Sequence, residues 1–226
     1  MIDDYDERVG FAAAVRDLNH AFVGHNPAPE RLRTLTAQIA AIAGELEQNP
    51  GRDRLALMMA AREAALAESA LAEPGSDDAE TRMSFVPPKS GFDDRAVAGR
   101  ANPTSIEFEI VDDGDDVVAR FVLRKAFEGA PNRAHGGMVA AAFDDVTGWI
   151  IGKLREPSFT GELSVRFNAP VPVDTQLEIR TRLVGRERRK LFITAEMLAS
   201  DVVVATCKAT YITVDPSLFA VAPEPR

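Results

Sequence analysis

Residues 127–160 read FEGAPNRAHGGMVAAAFDDVTGWIIGKLREPSFT, and this stretch decides the fold. Val139, Phe143, Val146 and Ile150 recur at close to 3.6-residue spacing in a segment otherwise rich in alanine and glycine. That is the pattern of a helix with an apolar face sunk into a core. It is entered through His135, Gly136 and Gly137 and runs from Met138 to Leu154. Inside it stand Asp144 and Asp145. A carboxylate on a largely buried helix is costly unless it is paired, hydrated or used, so this pair is the first functional clue. The two lie about 100° apart around the helix, so at most one faces a given site, and spacing does not choose between them.

On both sides of the helix the period changes to two. Upstream, Ile106, Phe108 and Ile110 alternate with Glu107 and Glu109, an acidic turn surrounds Gly114, and Val117–Leu123 returns as the second arm of a hairpin. Downstream, Leu163, Val165 and Phe167 form one alternating run and Leu177, Ile179 and Leu183 another. Pro170 and Pro172 fall between them, where a missing donor does least harm. Leu191–Ala199 and Val202–Val214 complete the series across a tight connection at Ser200 and Asp201. A hairpin, one long helix and four antiparallel strands predict an α+β domain in which a single helix covers one face of a single sheet.

Two further helices precede this domain. Phe11, Val15, Leu18 and Phe22 form one apolar series, and Leu32, Leu35, Ile39, Ile42 and Leu46 a second. An alanine-rich segment from Arg52 to Ala72 predicts a third, ended by Pro74 and Gly75. The expected organisation is a helical extension over 1–75 that packs on its own main domain, a linker and entry segment over 76–103, the main domain over 104–215 and a tail over 216–226.

Composition excludes several classes of function. A formal net charge of −9 argues against a nucleic-acid or anionic-membrane surface. The single cysteine, Cys207, excludes an intramolecular disulfide, and three histidines supply no metal-ligand spacing. The acidic start, Met1–Asp6, lacks a signal-peptide pattern, and no run reaches membrane-spanning length, so a cytoplasmic protein is expected.

Glycines at a helix start let a ligand oxygen approach unpaired backbone N–H groups at the positive end of the helix dipole, which makes an oxyanion site. A carboxylate farther along could activate water or attack directly. Asp144 stands eight residues from Gly136, about 12 Å along a straight helix, too far for both to grip one atom. The spacing points to a bend at the glycines or to a site shared between two chains.

Phe127–Pro131 followed by His135, Gly136 and Gly137, with an aspartate nine residues after the histidine, resembles the hotdog-fold acyl-CoA thioesterases of the PaaI type, nearest the thioesterase superfamily member 4 group. The resemblance covers about Gly99 to Asp215. It implies a long helix wrapped by a curved antiparallel sheet and hydrolysis of a thioester to a carboxylic acid and coenzyme A. It assigns the base or nucleophile to Asp144 and leaves Asp145 a bystander. It places the polarising N–H at Gly136, with Gly137 beside it, puts His135 in the loop that shapes the site, and gives Thr160 a hydroxyl that assists the attacking water. Gly129 occupies a position where some relatives have asparagine. No metal or redox cofactor is implied; coenzyme A enters as part of the substrate, and a homodimer or homotetramer is expected. Arg186, Arg188, Arg189 and Lys190, clustered at a turn, are candidates to hold its phosphates. Trp149, Phe143 and Met138 are either acyl-tunnel lining or plain core. A non-hydrolytic acyl-CoA sensor of the same fold is the alternative reading.

Overall fold

The computed structural model describes residues 5–53, 56, 57, 60, 93–114, 116–154 and 156–215. Most of the predicted third helix, residues 76–92 of the linker and the tail from 216 lie outside the described residues.

The predicted α+β hotdog architecture is present. Strands β1 (Glu109–Asp113) and β2 (Asp116–Val122) form the hairpin, closed through Gly114 at φ +64°. A 3-10 turn (Lys125–Phe127) and a small ribbon of β3 (Glu128–Ala130) and β4 (Arg133–Ala134) lead into the central helix, Gly136–Leu154. Then follow β5 (Ser158–Phe167), β6 (Gln176–Glu187), β7 (Lys190–Ala199) and β8 (Val202–Thr213). The six long strands pair antiparallel in the order β1-β2-β6-β7-β8-β5, so β5 is an edge strand.

The central helix buries Val139, Ala142, Phe143, Val146 and Ile150 against inward residues of the sheet, among them Phe121, Leu177, Ile179, Met197 and Ala205. The predicted apolar stripe is therefore the core face. Phe143 is fully buried, and Met138 and Trp149 pack partly buried on the same core. The first strand starts at Glu109, later than the alternation from Ile106 predicts. Residues 100–107 are engaged by the N-terminal extension instead.

Helix α1 (Tyr5–Gly24) docks by a polar face. Its buried residues are Ala12, Arg16 and His20. The Arg16 guanidinium donates to the Arg100 and Asn102 carbonyls (both 3.1 Å), to Ser105 Oγ (2.9 Å) and to Glu107 (3.0 Å). His20 Nδ1 accepts from the Ala126 N–H at 3.0 Å, and Arg124 pairs with Asp17. The predicted apolar face of α1 is open instead, with Phe11, Leu18 and Phe22 exposed. Helix α2 (Pro29–Glu47) begins with a proline in its first turn, which needs no hydrogen-bond donor there. It ends with the Asn49 side chain donating to the Glu45 and Leu46 carbonyls. None of its residues is buried. Among the described residues, the helices of the extension pack on the domain through α1, by the face that hydropathy does not mark. No helix among the described residues is long and apolar enough to cross a membrane.

Candidate active site

The entry to the central helix is built around His135. Its N–H donates to the Phe127 carbonyl (2.8 Å) and its carbonyl accepts from Met138 N (2.9 Å) and Val139 N (3.2 Å), so His135 caps the helix. Its ring Nδ1 accepts from the Gly137 N–H at 3.0 Å, which leaves Nε2 to carry the proton of the neutral ring. Gly137 therefore spends its amide on His135, and the Gly136 amide is the better candidate for an incoming oxygen. Gly129 lies so close that a Cβ there would sit 2.8 Å from His135 Cα, which explains glycine at this position in physical terms. Beside them opens a cleft of ≈ 500 Å³ lined by Gly129, Arg133, His135, Gly136, Phe167 and Val171, among others.

Asp144 lies two turns along the helix, half-buried. Its Oδ1 accepts a hydrogen bond from Thr160 Oγ1 at 2.8 Å. Thr160 is aimed by a β-bulge: the β5 register against β8 shifts between Thr160 and Glu162. The extra residue is Gly161, where a Cβ would meet Ile212 Cγ1 at 2.9 Å. Behind the pair stands Tyr211, the cross-strand partner of Thr160. Its buried hydroxyl donates to the Asp144 carbonyl (2.9 Å) and lies 2.9 Å from Thr147 Oγ1. Burial pushes the Tyr211 phenol up to about 12 and keeps it protonated. Burial, with the Asp144 charge adding, likewise pushes the Cys207 thiol up to about 12. The sequence reading missed Tyr211; an inward-facing tyrosine in a strand, whose hydroxyl needs a partner, was its one signal.

Asp145 is no solvated bystander. Its side chain is 12% exposed and lies 3.9 Å from Arg95, and its Oδ2 is buried without a hydrogen bond. Burial raises its pKa, and the Arg95 charge and the Trp149 indole N–H pull it partly back.

The structure thus brings Asp144 to Thr160 and gathers His135, Gly136 and Gly137, but the cleft at the glycines is lined by neither Asp144 nor Thr160. The basic cluster occupies the β6–β7 turn, with Arg188 at φ +51°. Arg186 pairs with Glu156, and Arg189 Nε donates to the Thr213 carbonyl at 2.9 Å. Leu191, Tyr211 and Thr160 form one row across β7, β8 and β5, so Lys190 adjoins a row that ends at Thr160 two strand spacings, roughly 10 Å, away.

Residues 132–207, which include every one of these positions from His135 to Lys190, match the family described as the Thioesterase superfamily. The matched stretch spans the central helix and strands β5–β7 of the hotdog fold. The crystal structure of a thioesterase superfamily protein shares the fold over 91% of this chain and 90% of its own, at 20% identity and a TM-score of 0.66. A phenylacetic acid degradation-related protein from Ralstonia eutropha JMP134 is 27% identical over 48% of this chain and 84% of its own, with a TM-score of 0.44. A hypothetical thioesterase from Streptococcus pneumoniae TIGR4, solved with coenzyme A, is 18% identical over 48% and 89%, with a TM-score of 0.46. No curated protein matches the chain.

Proposed function

We propose that the protein is an acyl-CoA thioesterase, hydrolysing a thioester to a carboxylic acid and coenzyme A. The observation that carries this reading is the 2.8 Å contact between Asp144 and Thr160 inside a thioesterase-superfamily domain. The Thr160 hydroxyl fixes one carboxylate oxygen and leaves the other to take a proton from water. The resulting hydroxide attacks the thioester carbonyl carbon. The Gly136 N–H, at the positive end of the helix, receives the charge that develops on the oxygen. Collapse breaks the C–S bond, and the departing thiolate takes the proton back from Asp144. Direct attack by the carboxylate uses the same two sites and passes through an anhydride that water then opens. His135 holds the helix entry and lines the cleft beside Gly136.

Since Gly136 and Asp144 of one chain do not converge, the working site combines two chains. β5 is an unpaired edge of 10 residues, an invitation to pair with another copy. Antiparallel pairing of two such edges about their centre sets Ser158 of one chain opposite Phe167 of the other and Thr160 opposite Val165, two residues from Phe167, which lies against Gly136 with its ring 3.3 Å from where a Cβ would be. Asp144 and Thr160 of one protomer then face the glycines of its partner. Arg188, Arg189 and Lys190 are the cations offered to the phosphates of coenzyme A, and a cytoplasmic, reducing setting fits the free Cys207.

Asp144→Asn tests the reading. In a folded variant kcat for acyl-CoA falls by about 10²–10⁴-fold, the range for loss of a positioned base, measured by thiol release over acyl groups of different length and aromatic character. Retained turnover would sink the assignment. Binding of acyl-CoA by the wild type with no hydrolysis of any ester would make the protein a sensor instead.

A further inference from the structure

Among the described residues, nothing covers the apolar seam of helix α2. Leu32, Leu35, Ile39, Ile42 and Leu46 alternate three and four residues apart, the a/d repeat of a coiled coil. None of its residues is buried, and Ile39, Ile42 and Leu46 are 45%, 48% and 53% exposed. Most of a helix's stability in a protein comes from packing its apolar face, so such a seam calls for a covering helix.

We propose that the cover is α2 of a second copy of this chain, running antiparallel about a two-fold axis. The charges beside the seam choose the partner and its direction. With Leu32 at a and Leu35 at d, the g positions are Arg31, Gln38 and Glu45, and the e positions are Thr36 and Ala43. Antiparallel packing sets a against d and g against g. Leu32 then meets the partner's Ile42, Leu35 meets the partner's Ile39, Arg31 meets the partner's Glu45, and Gln38 meets its own copy on the axis. Every one of these pairs belongs to a single register. A parallel pair sets g against e, which puts Arg31 beside threonine and Gln38 beside alanine, with no charge pair at all. Neither the Arg31 nor the Glu45 side chain has an ion pair among the described residues, so both are available. Small Thr36 and Ala43 on the other flank let the two helices approach. The open stripe of α1, joined to α2 only by His25–Ala28, supplies further apolar surface to the same assembly. The inference is independent of the catalytic reading.

Cysteine trapping in the full chain tests it. Cys207 is buried, so an introduced thiol reports alone. Gln38→Cys places two thiols across the axis and is expected to convert most of the protein to a covalent dimer under mild oxidation. Ala37→Cys, one residue away on the outer face, is expected to stay monomeric on a non-reducing gel. Arg31→Glu in the Gln38→Cys background lowers the rate of cross-linking about tenfold at low salt, and adding Glu45→Arg restores it. No interchain disulfide from Gln38→Cys, or equal cross-linking at 37 and 38, overturns the proposal and leaves the seam to residues 61–92 of the same chain or to another protein. Cross-linking that Arg31→Glu leaves untouched overturns the antiparallel register.

Discussion

Asp144 presents Oδ1 to the Thr160 hydroxyl at 2.8 Å, while Asp145, one residue on, turns its carboxylate into the protein beside Arg95. The two neighbours therefore answer opposite questions when neutralised. Burial is the largest influence on Asp145 and raises its folded pKa above the unfolded value near 3.8. A carboxyl raised in this way binds more protons folded than unfolded, so its contribution to stability is fullest at low pH and is lost as pH rises through the folded pKa. Asp145→Asn removes that loss. It is expected to give a Tm at pH 7 equal to or above wild type and a change of kcat within about threefold, small beside the effect expected of Asp144→Asn. Thermal unfolding and thiol release on the same preparation check it, and a large drop in Tm would mean that the Arg95 pair outweighs burial. This distinction is not legible in the sequence. Two charges in an apolar helix are visible there, but the partner that defines Asp144 sits 16 residues away across a β-bulge. Tyr211, which holds the Asp144 carbonyl, is 67 residues away on another strand. The glycines at the helix entry were legible because their reason is local; that Gly137 donates to His135 was not, because it depends on a ring rotamer.

At the level of elements, the period of hydrophobicity placed the long strands and the central helix, though the edge strand β5 buries Leu163 and Val165 only in part and leaves Phe167 50% exposed. The short β3 and β4, of three and two residues, carry no period to read. Helix α1 shows where periodicity misleads: it joins the domain through Arg16 and His20, a polar face whose worth lies in carbonyls and amides that folding brings near. That joint has a pH dependence. His20 is held neutral by burial first and by the charges of Arg124 and Arg16, with Asp17 and Asp174 opposing, so its folded pKa lies below the ordinary 6.5. A histidine depressed in this way contributes stability above its unfolded pKa and loses it as pH falls through the folded pKa. Acid therefore loosens α1. Its fraying is expected to rise by up to about tenfold per pH unit, the limit for one proton, once pH falls below the folded pKa of His20. Hydrogen exchange of the α1 amides, corrected for intrinsic rates, measures this. His20→Gln, whose carbonyl can accept from Ala126 but cannot titrate, is expected to flatten the dependence while leaving exchange in the sheet unchanged. An identical slope in the variant would assign the effect elsewhere.

Among the described residues, one helix covers the six-stranded sheet and β5 forms one of its two edges, and the proposed distribution of the site follows from that plan. The covering helix is straight enough that its N-terminal amide and its Asp144 serve different places, and the edge β5 carries Thr160 near one end and Phe167 at the other. A two-fold pairing at this edge gives each site an Asp144 from one chain and a Gly136 amide from the other. Subunit mixing can show this directly. Gly136→Pro deletes the amide proton at the first helical position, where proline suits the backbone and an added Cβ approaches only the far end of the Phe167 ring, at 3.3 Å. Asp144→Asn deletes the proposed base. Each variant alone is expected to be inactive in both sites. When the two are unfolded, mixed in equal amounts and refolded, half of the dimers are mixed, and each mixed dimer has one site with both groups intact. Activity should then return to about a quarter of wild type, the value that random pairing of two-fold dimers gives. If each chain held a complete site, both groups of every site would come from one mutated chain and mixing would restore nothing. The amplitude of recovery thus separates a shared site from a private one without reference to which acyl group the protein prefers.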